Sequence, residues 1–402
     1  MTERPLKVFV VAGEESGDRL GAALMRSLKE RTAGRIEFAG VGGAGMAREG
    51  LASLFPLGEL AIVGFAAIPA RLSAILRRIR ETAAAAVAQR PDIVVIIDSP
   101  EFTHRVAKRV RSAAPDIPIV DYVCPSVWAW RPGRARTMRP YVDHVLALLP
   151  FEPAAMARLG GPPTIFVGHP LTERVHELRP NADEARRRED EPPLLLVMPG
   201  SRDGELKHML PVFAETLARL RGHTANLDVV VPTVAHLADE VRDAVSRWSV
   251  APRVVVDPAE KNAAFRQARA ALVKSGTGTL ELALAGVPMV AAYKVSWIEG
   301  IVGRLLIKGQ SVILANLVLG ENVVPEFLQE DCTPDRLLGA ILGILRPGTE
   351  RNRQIAGFAG LDAIMGVGGA APSEGAAEIV LSVGRRFYQS RGETVASTGG
   401  NA

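Results

Sequence analysis

The sequence predicts an α/β protein made of two doubly wound, Rossmann-like parallel-sheet domains, and three observations carry that expectation. Strand-like apolar runs alternate with helix-like runs through both halves, the pattern of a parallel sheet wrapped by helices. The segment 180–193, PNADEARRREDEPP, is charged, bounded by prolines and without apolar periodicity, so it reads as a surface linker between two such series. At 402 residues the chain is long for one core and comfortable for two.

In the first series the strand candidates are 6–12, 35–39, 92–97, 117–123, 142–146 and 164–167. In the second they are 194–198, 227–231, 253–256, 270–273 and 289–292. This places domain one at 1–179 and domain two at 194–370. Residues 371–390 read as a C-terminal helix with Pro372 early and Glu374 in its first turn, and 391–402 as a fraying tail. Two such domains joined at a hinge predict a ligand cleft outside the C-terminal ends of the strands.

Composition narrows the function. Hydrophobic content of 48% and charged content of 23% describe a globular chain, and two cysteines far apart, Cys124 and Cys332, exclude a zinc framework or disulfide scaffold. The strand-like run at 6–12 follows Pro5 at once, with no signal-peptide order of segments, so a cytoplasmic location is expected. Net charge is +4, yet residues 71–140 hold 13 basic against 6 acidic residues, a local excess of +7. That patch suits a phosphorylated substrate or anionic lipid; with apolar surface beside it and no nucleic-acid motif, nucleic acid is disfavoured.

The richest stretch is 271–288, ALVKSGTGTLELALAGVP. An apolar run ends at Lys274, turns through Ser275, Gly276, Thr277, Gly278 and Thr279, and restarts as a helix. Such a turn puts free backbone N–H groups and hydroxyls at a helix N-terminus, where a phosphate is favoured. Glu281, in the first turn, is placed to accept hydrogen bonds from a ribose diol. A merely capped helix gives the same pattern.

Across the expected cleft, Asp98 ends a strand before Ser99 and Pro100, which read as N-cap and N1 of the next helix. With Ser99 available for capping, Asp98 is free to take a proton from a substrate hydroxyl, although Asp before Ser-Pro is also ordinary turn chemistry. Ser201 and Arg202 close the first strand of domain two, Arg202 offering a fork of donors to phosphate. Glu14 and Glu15, after the first strand, suit hydroxyls rather than phosphate. Trp128 and Trp130 are either core or a pocket wall for sugar and acyl chains.

Two other motifs carry competing readings. Gly40 to Gly45 matches G-x-G-x-x-G but follows the second strand, and is taken as a tight loop rather than a dinucleotide site. Residues 61–80 are too broken by Arg71 to span a bilayer. On the helix there, Leu72, Ile75, Leu76 and Ile79 share a face and Arg71, Arg77, Arg78 and Arg80 lie largely off it. That arrangement fits either a helix lying on anionic lipid, with Ile68, Arg71, Leu72, Ile75, Leu76 and Arg77 toward membrane and acceptor, or a core helix with a solvated basic edge.

The motifs AGEESGD (12–18), IDSPEF (97–102), YVCPSVWAWR (122–131), LPFE (149–152), FVGHPL (166–171), MPGSR (198–202), KSGTGTLELALAGVPMV (274–290) and NVVPEFLQ (322–329) together resemble the lipid-A-disaccharide synthases, over nearly the whole chain and in order. The resemblance implies a GT-B glycosyltransferase fold and an inverting transfer from UDP-2,3-diacylglucosamine to 2,3-diacylglucosamine 1-phosphate, releasing UDP, with no cofactor and no metal. It also implies Asp98 as general base, Arg202 and Lys274 at the leaving diphosphate, and Asn316 as a cleft residue. Work on the inner face of the inner membrane and a homodimer are further implications. Two positions depart from the family pattern: Ala315 replaces a proline and Gly278 a usual alanine. The rival readings are a UDP-sugar 2-epimerase of the same fold and a non-enzymatic nucleotide or lipid binder.

Overall fold

The structure, a computed structural model, describes residues 4–60, 68–224, 226–295, 311 and 313–390, with the backbone alone at 68–72 and 388–390. The chain divides into two compact units, Met1–Pro170 with Gly369–Ala402, and Leu171–Gly368.

The first unit is built on a six-stranded sheet: β1 (Leu6–Ala12), β2 (Ile36–Val41), β3 (Ile93–Ile97), β4 (Ile119–Tyr122), β5 (His144–Ala147) and β6 (Thr164–Phe166). The order is β2-β1-β3-β4-β5-β6, with every pair parallel. β3 and the 8–12 stretch of β1 read as unbroken apolar runs because both faces of a parallel sheet are covered; all of β3 is buried. The helices α1 (Glu15–Arg31), α2 (Ala44–Arg48), α3 (Ile68–Gln89) and α4 (Pro100–Ala113) follow the first three strands. The chain runs from β1 outward to β2, then returns to β3 and proceeds the other way. The switch point between β1 and β3 is where the loops after both strands come together.

The second unit repeats the plan with β7 (Leu194–Met198), β8 (Asp228–Pro232), β9 (Arg253–Val255), β10 (Ala270–Lys274), β11 (Met289–Tyr293) and β12 (Glu326–Leu328) in the order β12-β11-β10-β7-β8-β9, again all parallel. Its switch point lies between β7 and β10. β12, a half-buried edge strand of three residues, carries too short a pattern to be read from periodicity.

Two expectations about organisation need correction, and the expected C-terminal helix finds its partner. The first boundary falls at Pro170, not 179. The helix Pro372–Ser390 belongs to the first unit: it packs on α1, Ser27 Oγ lies 3.1 Å from Ser373 Oγ, and Ala376, Ala377 and Val380 join the core beneath β1 and β3. The segment 180–193 is no bare linker. It holds a helix, Ala182–Arg187, closed by a capping box between Asn181 and Glu184. Arg188 beyond it donates to the carbonyls of Phe265, Arg266, Ala285 and Gly286, the C-terminal ends of two helices. Burial among these groups lowers the Arg188 pKa to about 10. Charge composition cannot separate an arginine in water from one that satisfies orphan helix carbonyls.

Candidate active site

At the first switch point the chain makes an unusual corner. Asp98 and Ser99 both adopt left-handed backbone, φ 53° and 46°, a conformation that costs a non-glycine residue about 1–3 kcal/mol and persists only where the surroundings impose it. Here Asp98 N donates to Tyr122 O at 3.1 Å, and Thr103 Oγ1 donates to Asp98 O at 2.6 Å and to Ser99 O at 3.1 Å. The expected cap is inverted: Ser99 caps nothing with its side chain, and Asp98 Oδ1 instead accepts from Ser99 N at 2.7 Å. Among the described residues Asp98 Oδ2 receives only a long contact from Ser16 Oγ, 3.3 Å, and keeps acceptor capacity. Gly13 is required beside this corner, since a Cβ there would lie 2.4 Å from Ser99 Cβ.

A cavity of about 1120 Å³ opens in this unit, walled by the loop after β1, by α2, and by Ser99, Pro100 and Phe102. Its glycine-rich wall is already filled. Asp18, buried, accepts from Gly43 N, Gly45 N and Met46 N at 2.7–2.9 Å, so its carboxylate occupies the helix N-terminus that a dinucleotide phosphate would need. This settles the Gly40–Gly45 motif as a structural loop.

α3 resolves partly against the bilayer reading. Ile75 and Leu76 pack on the first unit's core, Ile79 is fully buried, and Ile75 also lines the cavity. Arg78 is bound by Glu59 and Glu81 at 2.6 Å each and stacks over Phe55 at 4.5 Å. A helical stripe has the same period whether it faces a core or a membrane, so sequence could not decide. Arg77 is exposed; the side chains of Ile68, Arg71 and Leu72 lie outside the described residues. Trp128 packs edge-on against Phe151 and donates to the buried Glu152 at 3.2 Å, whereas Trp130 is exposed beneath Arg131.

At the second switch point a cavity of about 450 Å³ is lined by the loops after β7, β8 and β10. Ser201, Arg202, Lys274, Gly276, Thr277, Gly278 and Glu281 all line it. The helix that starts there, Thr277–Leu284, points its N-terminus at this space, while Arg179 and Arg188 hold its C-terminal carbonyls at Leu284, Ala285 and Gly286. Cations at one end and free amides at the other favour an anion in the cavity.

Glu205 organises the wall and was not anticipated. Its Oε1 accepts from Lys274 Nζ at 2.8 Å and its Oε2 from Ser201 N at 2.9 Å. Burial alone would raise its pKa, but the Lys274 and Ser201 hydrogen bonds outweigh it and hold the carboxyl below the ordinary value. Gly200, at φ +122°, is fixed by the same residue: a Cβ would lie 2.4 Å from Glu205 Oε2. The only sequence signal was an acid in the first turn of the helix Asp203–Leu220. Lys261, also unanticipated, bonds Glu281 Oε2 at 2.9 Å. Thr233 Oγ1 is buried at this wall without a hydrogen bond among the described residues.

Three expected ligand residues make bonds within the protein. Thr279 is fully buried and returns its hydroxyl to Gly276 O at 2.7 Å. Ser275 is buried, its N–H bonded to Ala292 O. Asn316, buried, clamps Val324 with both ends of its amide, donating to the carbonyl and accepting from the N–H at 2.9 Å each. Arg202 is open: its side chain is 82% exposed, 3.6 Å from Glu205.

An anion-binding helix N-terminus on one doubly wound unit, and a strained acid on another, are the parts of a GT-B glycosyltransferase or of an epimerase of that fold. Solved structures agree on the fold. MurG of Acinetobacter baumannii matches with a TM-score of 0.55 at 13% identity, over 94% of this chain and all of that one. The UDP-GlcNAc 2-epimerase of Neisseria meningitidis matches with 0.59 at 10% identity, over 94% and 99%. Sequence separates the two. The family model described as lipid-A-disaccharide synthetase matches residues 8–357. The lipid-A-disaccharide synthase of Nitrobacter winogradskyi is 58% identical over 94% of this chain and 96% of its own, and that of Rhodospirillum centenum 45% identical over 94% and 95%. The chain belongs to the lipid-A-disaccharide synthase family, and it is a glycosyltransferase of lipid A biosynthesis.

Proposed function

We propose that the chain transfers the sugar of UDP-2,3-diacylglucosamine to the 6-hydroxyl of 2,3-diacylglucosamine 1-phosphate. The acceptor oxygen forms a bond to the donor's anomeric carbon as the bond from that carbon to the diphosphate breaks on the opposite face, inverting it. The electron pair leaves with UDP, and the hydroxyl proton passes to Asp98 Oδ2. The backbone corner supports this role, since a left-handed Asp98 is fixed by its Oδ1 bond to Ser99 N, while Oδ2, with a long contact from Ser16, keeps room to accept a proton.

The observation that carries the donor assignment is the second cavity, where Arg202, Lys274 and the first amides of Thr277–Leu284 face one space. Preorganised donors and cations there stabilise charge developing on the leaving diphosphate. Glu281, fixed by Lys261, keeps Oε1 without a bond among the described residues and suits a ribose hydroxyl. Work at a membrane surface follows from acylated substrates. Among the described residues no helix is long and apolar enough to cross a membrane, and Arg77 and Arg80 on α3 are exposed to meet anionic headgroups.

The test is UDP release with the donor, with and without the acceptor lipid, and mass detection of product. Acceptor-dependent release with disaccharide formed is expected; acceptor-independent conversion of the donor would return the epimerase reading. Binding of both lipids without turnover would return the binding-protein reading.

A further inference from the structure

We propose that Arg19 and Arg48 form the subsite in the first unit's cavity that binds the phosphomonoester of the acceptor lipid, an inference that rests on the function proposed above. Both residues are exposed and line the cavity. Neither has a hydrogen bond or ion pair among the described residues, although most described arginines of this unit are engaged: Arg4 by Asp92, Arg26 by Glu49, Arg78 by Glu59, Arg111 by Asp143 and Arg134 by Glu101.

Three of the acids near the pair are committed elsewhere, while Glu14 and Glu15, which also line the cavity, make no ion pair among the described residues and suit the hydroxyls of a bound sugar. Glu49, next to Arg48, is held by Arg26 at 2.9 Å and Lys29 at 3.2 Å. Asp18, next to Arg19, is bound by three backbone N–H groups. Glu101 on the cavity wall is taken by Arg134 at 2.6 Å, with Arg131 and Arg105 farther off. Glu15, one turn before Arg19, makes no ion pair with it. Two guanidinium groups are left facing solvent-filled space.

Asp18 also determines which groups a phosphate can use. By filling the N-terminus of α2 it removes the glycine-rich loop as an anion site, so an anionic ligand in this cavity has to be met by side chains. Guanidinium forks suit that contact. The cavity lining also includes apolar Leu57, Leu60, Ile75 and Phe102, and Ser99 Oγ is buried beside it without a hydrogen bond among the described residues. A phosphate on the arginines, a sugar across the cavity and acyl chains on the apolar lining describe one amphipathic molecule, a monophosphorylated glycolipid whose reacting hydroxyl approaches the Asp98 corner.

The experiment compares wild type with Arg19→Ala, Arg48→Ala and the double variant, using 2,3-diacylglucosamine 1-phosphate and the same lipid without its phosphate. Loss of charge-assisted bonds predicts an acceptor KM raised about tenfold or more in the double variant, with the donor KM within about twofold and partial recovery in Arg48→Lys. Equal KM values for wild type and double variant would overturn the subsite, as would an equal loss with the phosphate-free lipid. Direct binding of the phosphorylated lipid in micelles is measured alongside: wild-type binding that the double variant loses, with unchanged circular dichroism, upholds the subsite even if no disaccharide forms. Equal binding by both overturns it. Failure of the wild type to make disaccharide sinks the function while the binding arm still decides the subsite.

Discussion

Lys274 and Glu205 face each other across the switch point of the second sheet, ammonium to carboxylate at 2.8 Å, and both side chains are only 14% exposed. The pair joins the loop after β10 to the loop after β7, which are the two sides of the proposed diphosphate site. A lysine already fixed beside the cavity needs little rearrangement to meet phosphate, and Glu205 keeps its charge from attracting solvent anions.

Lys274→Met therefore has two expected effects. Removal of one fixed donor cation lowers kcat/KM for the UDP-sugar by about 100-fold. It also leaves Glu205 with only Ser201 N and the more distant Arg202 for partners, destabilising the fold by about 1–2 kcal/mol once solvent exposure is discounted. The folded pKa of Glu205 lies below its ordinary 4.5, so the stabilisation is complete above that value and disappears as pH falls through the folded pKa. Urea melts of both proteins between pH 3 and 7 check this: the gap in stability should close on the acid side, and a gap constant with pH would refute the charge pairing.

Glu152 predicts the opposite slope. Burial raises its pKa to about 7 from the ordinary 4.5, against hydrogen bonds from Leu149 N, Trp128 Nε1 and Leu148 N. Between those two values the folded state binds a proton that the unfolded state has released, so stability falls as pH rises from about 4.5 to about 7 and is flat beyond. A shift of this size is worth about 3 kcal/mol. Glu152→Gln should lose this slope, so the difference in unfolding free energy between the two proteins should change with pH between about 4.5 and about 7; identical pH profiles would show that Glu152 titrates normally.

Asp18→Asn tests the closed glycine loop. One amide oxygen cannot replace two carboxylate oxygens bonded to Gly43, Gly45 and Met46, and the added NH₂ group would face a backbone donor. The expected cost is about 2 kcal/mol, seen as a fall in Tm of about 4–8 °C for a unit of this size. A variant as stable as wild type would mean that the loop does not depend on the carboxylate.

How far these parts could be read beforehand differs by kind. Unbroken apolar runs such as 93–97 and 194–198 announce buried parallel strands, because a sheet covered on both faces uses them, and small-residue turns at 275–279 announce a helix start. Those signals are local. The roles of Asp18 and Arg188 are set by backbone groups 25 to 98 residues away, and that of Glu205 by the Lys274 ammonium 69 residues away, and no spacing in one sequence records them. The bonds of Asn316 and Thr279 within the protein were hidden for a related reason: a polar side chain reads alike whether its partner is a ligand or a nearby backbone group. Ser99 shows the reverse, a residue type suited to capping whose backbone geometry hands the task to Asp98.

The membrane prediction rests on Arg77 and Arg80, exposed on α3 while Ile75, Leu76 and Ile79 turn to the core. With the apolar face occupied, association by this part of the helix has to be electrostatic, worth about 1 kcal/mol per basic residue near an anionic surface. Arg77→Glu with Arg80→Glu replaces two attractions by two repulsions, so partitioning into vesicles rich in anionic lipid should fall by more than about 100-fold at low salt. The effect should shrink as ionic strength rises and the Debye length contracts, and be absent with neutral vesicles. Sedimentation of wild type and variant with both kinds of vesicle checks it, and equal partitioning on anionic vesicles would remove α3 from the membrane contact.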